Sequence, residues 1–139
     1  MKITFNPYIH FNDGKAEEAV KFYQGIFGGD LTINRFGDFG TPDVADNLKN
    51  QIMHADLTTD DFRLMVSDTG PMGGVKEGDN VAISISGDNE DKLTKYFSEL
   101  SRGGKVTVPL QMHPWGATFG MLSDKFGINW LINISKKED

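Results

Sequence analysis

The sequence predicts an α+β protein of two βαβββ half-repeats, whose curved cup of mixed and antiparallel strands carries its helices on the outside. Two amphipathic helices, a strand pattern before each helix and a strand with a hairpin after it lead to this prediction. The 139 residues, 38% hydrophobic and 24% charged, suit a single soluble domain with a hydrophobic core. We expect half-repeats at about 1–68 and 80–135, joined by the Gly-rich linker 69–79.

The helices are predicted at about 14–27 and 89–102, where apolar residues recur at helical spacing. Asn12 or Asp13 is the expected N-cap of the first helix, and Asp88 that of the second. A glycine pair ends each helix. One offset of 75 residues relates Asp13 to Asp88, Phe22 to Phe97 and Gly28-Gly29 to Gly103-Gly104. This common offset indicates an internal duplication.

Strand patterns flank both helices. Polar and apolar residues alternate before them, and turn residues separate the strands after them. The predicted strands lie at about 3–11, 31–36, 51–58 and 62–67, and at about 80–86, 105–110, 117–123 and 128–134. A helix can cover only one face of a sheet. We therefore expect the two uncovered faces to form a shared ligand groove.

Two further loops connect these elements. The segment 37–50 is long for an interstrand loop, so it is either a lid or a plain surface excursion. Within it, Phe39-Gly40-Thr41-Pro42 is typical of a turn. The hairpin turn at Asp124-Lys125-Phe126-Gly127 is expected to place Gly127 at positive φ.

Composition excludes several classes of protein. The chain has no cysteine, so disulfides, thiolate catalysis and Cys-based metal sites are excluded. The net charge of −6 without a basic stripe disfavours nucleic-acid binding. No apolar run is long enough to span a bilayer, and no secretory hydrophobic region opens the sequence. We therefore expect a cytoplasmic protein with no nucleic-acid or membrane partner.

His54 and Asp56 are the strongest chemical candidates, because they share one face of a predicted strand. They suit a general base with its orienting acid, or two ligands of an unusual metal site. The alternative, which we favour, is a polar network with Arg63 on the neighbouring strand. Arg63 is also a candidate to bind an anionic ligand group.

The other groove candidates carry weaker signals. His10 is a possible pocket donor, although a rim residue is the favoured interpretation, and Trp115 in a Pro-Trp-Gly loop is a candidate ligand contact. His113 is expected to be exposed to solvent. The complete set of groove-lining candidates is Asn6, Tyr8, His10, His54, Asp56, Arg63, Met65, Trp115 and Asn129.

Several segments together resemble the glyoxalase/bleomycin-resistance/dioxygenase (vicinal oxygen chelate) superfamily, and in particular its PhnB-like branch. They are Pro7-Tyr8-Ile9-His10-Phe11, Phe22–Gly29, Met53–Leu57, Leu64–Asp68, Trp115 with Phe119-Gly120, and Ser123–Asn133. Members of this branch often carry a methyltransferase name. This sequence has no Gly-rich loop after a strand and no parallel βαβ pattern, so we expect no such activity.

The resemblance also implies where a metal would bind. Metal-using members of the superfamily place ligands on the first and last strand of each half, at positions matching Asn6, Met65, Asn80 and Leu131. These are poor ligands for a divalent metal. We therefore expect no metal, no other cofactor, and neither lactoylglutathione lyase nor extradiol dioxygenase activity.

Three functions remain open at this point. The first is a metal-independent module that binds an unknown small molecule in the groove. The second is a lyase- or isomerase-type enzyme with an atypical site around His54. The third is a face that only builds a homodimer. We rank the first ahead of the second and expect a homodimer alongside either, because proteins of this fold often pair.

Overall fold

The computed structural model describes residues 2–39 and 44–136. The predicted turn at Phe39-Gly40-Thr41-Pro42 falls largely on 40–43, outside the described residues. The chain divides into two compact units, Met1–Glu77 and Gly78–Asp139. Within the described residues, each unit contains one α-helix and one four-stranded mixed sheet, as the duplicated βαβββ pattern predicts.

The first unit pairs its strands in the order β1-β4-β3-β2. Its elements are β1 (Tyr8–Phe11), α1 (Ala16–Phe27), β2 (Asp30–Arg35), β3 (Ile52–Thr58) and β4 (Arg63–Asp68). β1 runs parallel to β4, and the other neighbours are antiparallel. The loop between β2 and β3 contains short 3₁₀ helices at Phe36–Phe39 and Asp46–Leu48.

The second unit repeats this order as β5-β8-β7-β6. Its elements are β5 (Ile83–Gly87), α2 (Glu90–Leu100), β6 (Lys105–Met112), β7 (Thr118–Ser123) and β8 (Asn129–Ile134). β5 is parallel to β8, and the remaining pairs are antiparallel. Neither α1 nor α2, nor any shorter helix in 2–39 and 44–136, is long and apolar enough to cross a bilayer.

Each helix buries its apolar stripe against one face of its own sheet. In the first unit, Ala19, Val20 and Tyr23 of α1 are fully buried, as are Leu57 and Leu64 of the sheet. In the second unit, the buried hydrophobic residues of α2 and its sheet are Leu93, Tyr96, Phe97, Leu100, Leu122, Trp130, Ile132 and Ile134. The helix stripes therefore lie where the periodicity predicts them.

The first strand of each half is shorter than the alternation predicts. β1 starts at Tyr8, and Ile3 and Phe5 are 86% and 99% exposed. Pro7 explains this start, because it has no N–H for the ladder, and its carbonyl accepts the first bond, from the Met65 N–H at 3.0 Å. β5 likewise starts at Ile83 and leaves Val81 exposed.

Both predicted N-caps are wrong. The Ala16 N–H at the start of α1 donates to the Asp68 carboxylate of β4 at 2.9 Å. Asn12 instead bonds the backbone of Val75 through both its amide oxygen and its amide nitrogen, at 2.9 and 3.0 Å. α2 is capped by Asn89, whose side-chain oxygen accepts the Lys92 N–H at 3.2 Å. Asp88 stands one residue too early for this role.

Candidate functional site

Alternate residues of the first sheet project from the face opposite α1, and we call this surface the polar face. In its central row, Tyr8 of β1 lies beside Met65 of β4, and Met65 beside Asp56 of β3. The residues of the polar face are Tyr8, His10, Asp30, Thr32, Asn34, His54, Asp56, Thr58, Arg63, Met65 and Ser67. Strand alternation thus brings six of the nine predicted groove residues onto one surface.

A chain of four polar side chains crosses this face, and we call it the tyrosine–histidine network. The Tyr8 hydroxyl lies 3.0 Å from His54 Nδ1, and His54 Nε2 lies 2.8 Å from Asp56 Oδ2. The other carboxylate oxygen, Asp56 Oδ1, accepts a hydrogen bond from Arg63 Nε. The network therefore contains both the His54–Asp56 pair and the Arg63 contact that the sequence offered as alternatives.

Electrostatics fixes the protonation pattern of this network. The hydrogen bond from Arg63 holds the pKa of Asp56 below its usual value, with a further contribution from His54. The same ion pair raises the pKa of Arg63. Because Asp56 is a carboxylate, His54 Nε2 carries a proton toward it. When His54 is neutral, Nδ1 therefore has the lone pair and accepts the Tyr8 O–H.

An aromatic stack continues the polar face. The rings of Tyr8 and His10 are stacked, with centroids 4.6 Å apart and planes 20° apart. His10 Nδ1 lies 2.7 Å from the hydroxyl of Ser67, which is buried. Tyr8 remains 41% exposed, so an aromatic ring and a hydroxyl are accessible at this surface.

The three remaining predicted site residues are not part of the strands of the first sheet. Asn6 precedes β1 and bonds the Thr4 hydroxyl at 3.2 Å. Trp115 and Asn129 belong to the second unit. Asn129 donates to the carbonyls of Asp79 and Val81 at 3.3 and 3.4 Å, a contact that supports the segment before β5.

Trp115 forms an aromatic group with His113 and Phe119. The Trp115 indole is largely exposed and stacks on His113 at 4.5 Å, and Phe119 meets His113 edge to face at 5.4 Å. The expectation of a solvent-exposed His113 is wrong, because its Nε2 is buried and has no hydrogen-bond partner among the described residues. Stacking beneath Trp115 accounts for this burial.

Residues that match the superfamily's metal-ligand positions do not form a suitable donor set. Asn6 and Asn80 stand outside β1 and β5, and Asn6 Nδ2 donates to Thr4. Met65 offers only a thioether and Leu131 no donor, whereas a divalent metal site takes imidazole or carboxylate ligands. Within residues 2–39 and 44–136, no three or more His, Asp or Glu side chains are placed to hold one ion.

Two polar-face residues escaped the sequence candidates although their signal was available. Thr32 lies beside Asp56, and Asn34 beside His54, in the register of β2 and β3. Alternation along β2 alone places both on the uncovered face. The missing information was which strand pairs with which, because that sets the neighbours of His54 and Asp56.

Concave surface also occurs in the second unit. A concavity of about 730 Å³ in the second unit is lined by the start of α2 and by residues of β7 and β8. Its charged residues are Asp88, Glu90, Asp91 and Lys136. Small-molecule sites combine apolar walls with a few polar groups. The polar face, with its aromatic rings and histidines, fits this description of a small-molecule site better than the acidic concavity does.

Comparison with known proteins agrees with the fold. A family model described as the Glyoxalase/Bleomycin resistance protein/Dioxygenase superfamily matches residues 7–132. Protein YjdN of Escherichia coli strain K12 is 28% identical over 146 residues, which covers 98% of both chains. Protein PA1353 of Pseudomonas aeruginosa is 36% identical, with a TM-score of 0.86 over 98% of this chain and 100% of that one.

A more distant structure shares the fold alone. The PhnB protein of Bacillus cereus, named as a 3-demethylubiquinone-9 3-methyltransferase, is 24% identical. Its TM-score is 0.75 over 96% of this chain and 100% of that one. Together with the duplicated sheets and the extent of the family match, these similarities show that the chain belongs to the glyoxalase/bleomycin resistance protein/dioxygenase superfamily.

Proposed function

We propose that this chain binds a small organic molecule on the polar face through side chains alone, without a metal ion. The observation that carries the proposal is the tyrosine–histidine network, which aligns four functional side chains on one accessible surface. Side chains held by hydrogen bonds lose little conformational entropy on binding. Such a prealigned set is typical of a binding site.

Ring stacking supports an aromatic or amphiphilic ligand. Tyr8 presents a ring and a hydroxyl beside His10, and the flexible thioether of Met65 lies next to it in the register. Tyrosine combines a large apolar surface with one polar group, and methionine adapts to irregular shapes. This mixture suits a planar molecule with a polar substituent.

Fragment mapping by NMR tests the proposal. A set of neutral and charged aromatic fragments is added to the full chain, and the signals of His10, His54 and Met65 are followed. We expect at least one fragment to shift these signals while the buried Trp130 indole, which donates to Asp124 at 2.9 Å, does not respond. A set that shifts no polar-face signal would refute the proposal.

A second candidate function is an isomerase- or lyase-type activity with His54 as general base. It is favoured by the contacts of His54 Nε2 with Asp56 and of Nδ1 with Tyr8, because a carboxylate that orients a histidine is typical of acid–base catalysis. Deuterium exchange from water into hydroxyacetone provides the test. A rate that exceeds the buffer rate and is lost in His54→Gln supports catalysis, whereas an equal rate in both proteins opposes it.

We also propose that the chain forms a homodimer. The exposed Ile3 and Phe5 precede β1, an edge strand of the first sheet, and such apolar groups favour association. Sedimentation velocity at several concentrations measures the state. A dimer that is weakened by Ile3→Ser with Phe5→Ser supports this proposal, and a monomer at all concentrations contradicts it.

A further inference from the structure

We infer that the polar face receives a ligand with an anionic group, and that protonation of His54 turns the Tyr8 hydroxyl outward to donate to it. The inference rests on the proposed function, because it names the ligand class of the same site. It follows from the contacts of the two ring nitrogens of His54, because Nδ1 contacts the Tyr8 hydroxyl and Nε2 contacts the Asp56 carboxylate.

Neutral His54 allows only one arrangement of protons. A tautomer with its lone pair at Nε2 would face the Asp56 carboxylate with a second acceptor at 2.8 Å, which is unfavourable. Nε2 therefore carries the proton, and Nδ1 accepts the Tyr8 O–H at 3.0 Å. In this state the Tyr8 oxygen offers only lone pairs to a ligand.

Protonated His54 reverses that bond. Nδ1 now carries a proton and donates to the Tyr8 oxygen, so the tyrosine O–H must point away from the ring. Tyr8 is 41% exposed, and the outward hydroxyl is therefore available as a donor. The polar face changes from presenting an acceptor to presenting a donor beside a new positive charge.

The charged groups around His54 favour an anion in this state. Asp56 of β3 is already paired with Arg63 of β4, and the other titratable groups on this face are Tyr8 and His10 of β1 and Asp30 at the start of β2. Because the Asp56 and Arg63 charges cancel, a proton on His54 adds net positive charge to the network.

Arg63 supplies a second donor group. Its Nε bonds Asp56, whereas its two terminal nitrogens have no acceptor within the described part of the chain, and the side chain is 46% exposed. A guanidinium held at one edge presents its other edge in a fixed direction, which suits a carboxylate. The anionic group of the ligand is therefore expected to contact Arg63.

Benzoate and benzyl alcohol are a suitable pair of probes, because they share a ring and differ in charge. Their dissociation constants are measured for the full chain by NMR at about pH 5.5 and about pH 8.5, two values on either side of the histidine titration. Long-range ¹H–¹⁵N spectra resolve the tautomers, since the chain has only 3 histidines. At the higher pH, His54 should be the Nε2–H tautomer.

We expect benzoate to bind roughly tenfold more tightly at the lower pH, which lies within the usual range of coupling between two sites. Benzyl alcohol should bind equally at both. By reciprocity, benzoate should raise the protonated fraction of His54 at a fixed pH. Tyr8→Phe, which keeps the ring stack, should reduce the pH ratio, and His54→Gln should bring it close to one.

Arg63→Gln should weaken benzoate binding at both pH values, and its matched control, Arg102→Gln in the second unit, should behave like the unmodified protein. A benzoate affinity that is equal at both pH values, or a ratio that persists in His54→Gln, overturns the inference. Binding of benzyl alcohol without benzoate overturns the anionic ligand class and leaves the proposed function standing. If neither probe nor any other fragment shifts the polar face, the proposed function fails as well.

Discussion

Asp124 shows how one carboxylate can organise a hairpin. It is buried, its Oδ1 accepts the N–H groups of Phe126 and Ile128, and its Oδ2 accepts the Trp130 indole N–H at 2.9 Å. The side chain therefore closes the turn and also satisfies the buried nitrogen of the largest core residue. A buried donor without an acceptor is costly, so Asp124 allows Trp130 to be buried.

Asp124→Asn should lower the free energy of unfolding by about 2 kcal/mol, because the amide nitrogen cannot accept the Trp130 N–H. Urea denaturation measures the change. Asp60→Asn, in the exposed turn of the first hairpin, is the control and should change stability by less than about 0.5 kcal/mol. In an Asp124→Asn, Trp130→Phe double variant the two losses should not add; additive losses would show that the contact is unimportant.

The sequence predicts the Asp124 turn but not the Trp130 contact. Gly127 has φ of +86°, as the turn pattern requires. The contact between Asp124 and Trp130 depends on where β8 places Trp130 relative to the turn. Strand alternation predicts only the face of the sheet on which Trp130 lies. The same limit applies to the polar face. Strand alternation identifies His54, Asp56 and Arg63 as candidates, but it does not determine which of these side chains form hydrogen bonds with each other.

Glu17 and Arg35 form a bidentate ion pair with N–O distances of 2.9 Å. The hydrogen bonds from Arg35 and then Lys21 lower the pKa of Glu17 to about 2. The pKa of Glu17 is therefore lower in the folded protein than in the unfolded chain. The pair therefore stabilises the fold above the unfolded pKa near 4.5, and this stabilisation is lost as the pH falls toward 2.

Glu17→Gln should reduce the free energy of unfolding at neutral pH by about 1 kcal/mol, because the Glu17 side chain is 33% exposed and solvent screens the pair. The difference from the unmodified protein should shrink below about pH 4 and vanish near pH 2. Denaturation at several pH values checks this profile. Glu18→Gln is the matched control on the same helix turn, and an equal profile for both variants would contradict the assignment.

At the scale of elements, α1 depends on a residue far away in the sequence. The Asp68 carboxylate at the end of β4 accepts the Ala16 N–H at 2.9 Å and the Ile52 N–H at 2.7 Å. One buried side chain thus caps α1 and anchors the start of β3. Local rules favour Asn12 or Asp13 because they consider only neighbours in sequence, so they could not identify this cap.

Asp68→Asn should lower the free energy of unfolding by about 2 kcal/mol, since one of the two buried N–H groups loses its acceptor. Amide hydrogen exchange should also accelerate at Ala16 or Ile52. Asp13→Asn is the decisive control, because Asp13 has φ of +59°, which asparagine tolerates, and has no capping role here. If Asp13→Asn is as destabilising as Asp68→Asn, the assignment of the cap is wrong.

At the scale of the whole molecule, the duplication is visible in the backbone. Both sheets have the same strand order, and Gly29 and Gly104 lie at equivalent positions 75 residues apart. An added Cβ would lie 2.5 Å from the Thr58 carbonyl oxygen at Gly29, and 2.2 Å from that of Ser123 at Gly104. Each glycine lets the segment after the helix approach the hairpin, so the matched glycines reflect matched packing.

The repeat predicts the fold better than the chemistry. Periodicity and the repeated glycines suffice for two helices and two four-stranded sheets, because burial and backbone geometry are the same in both halves. The uncovered faces differ: the first has the tyrosine–histidine network, whereas the second pairs Ser84 with Leu131 and Leu131 with Met121. Function therefore depends on side chains that the repeat does not constrain.

Gly104→Ala provides a test of the single-domain organisation that the sequence predicts. The three atoms nearest to the added methyl group would be the backbone atoms Ser123 O and Asp124 C and Cα, so side-chain movement cannot relieve these contacts. We expect a loss of about 3 kcal/mol in the free energy of unfolding. Gly25→Ala, on the exposed surface of α1 with no atom within 4 Å of the added Cβ, should instead gain about 0.5 to 1 kcal/mol.

If both units unfold as one domain, Gly104→Ala should lower the denaturation midpoint equally at two reporters. They are the His54 ring signal in the first unit and the Trp130 indole in the second. Gly25→Ala should raise both midpoints by the same reasoning, because a cooperative transition has a single midpoint for every probe. A shift at Trp130 without one at His54 would show that the half-repeats are separate folding units, and the single-domain prediction would then be wrong.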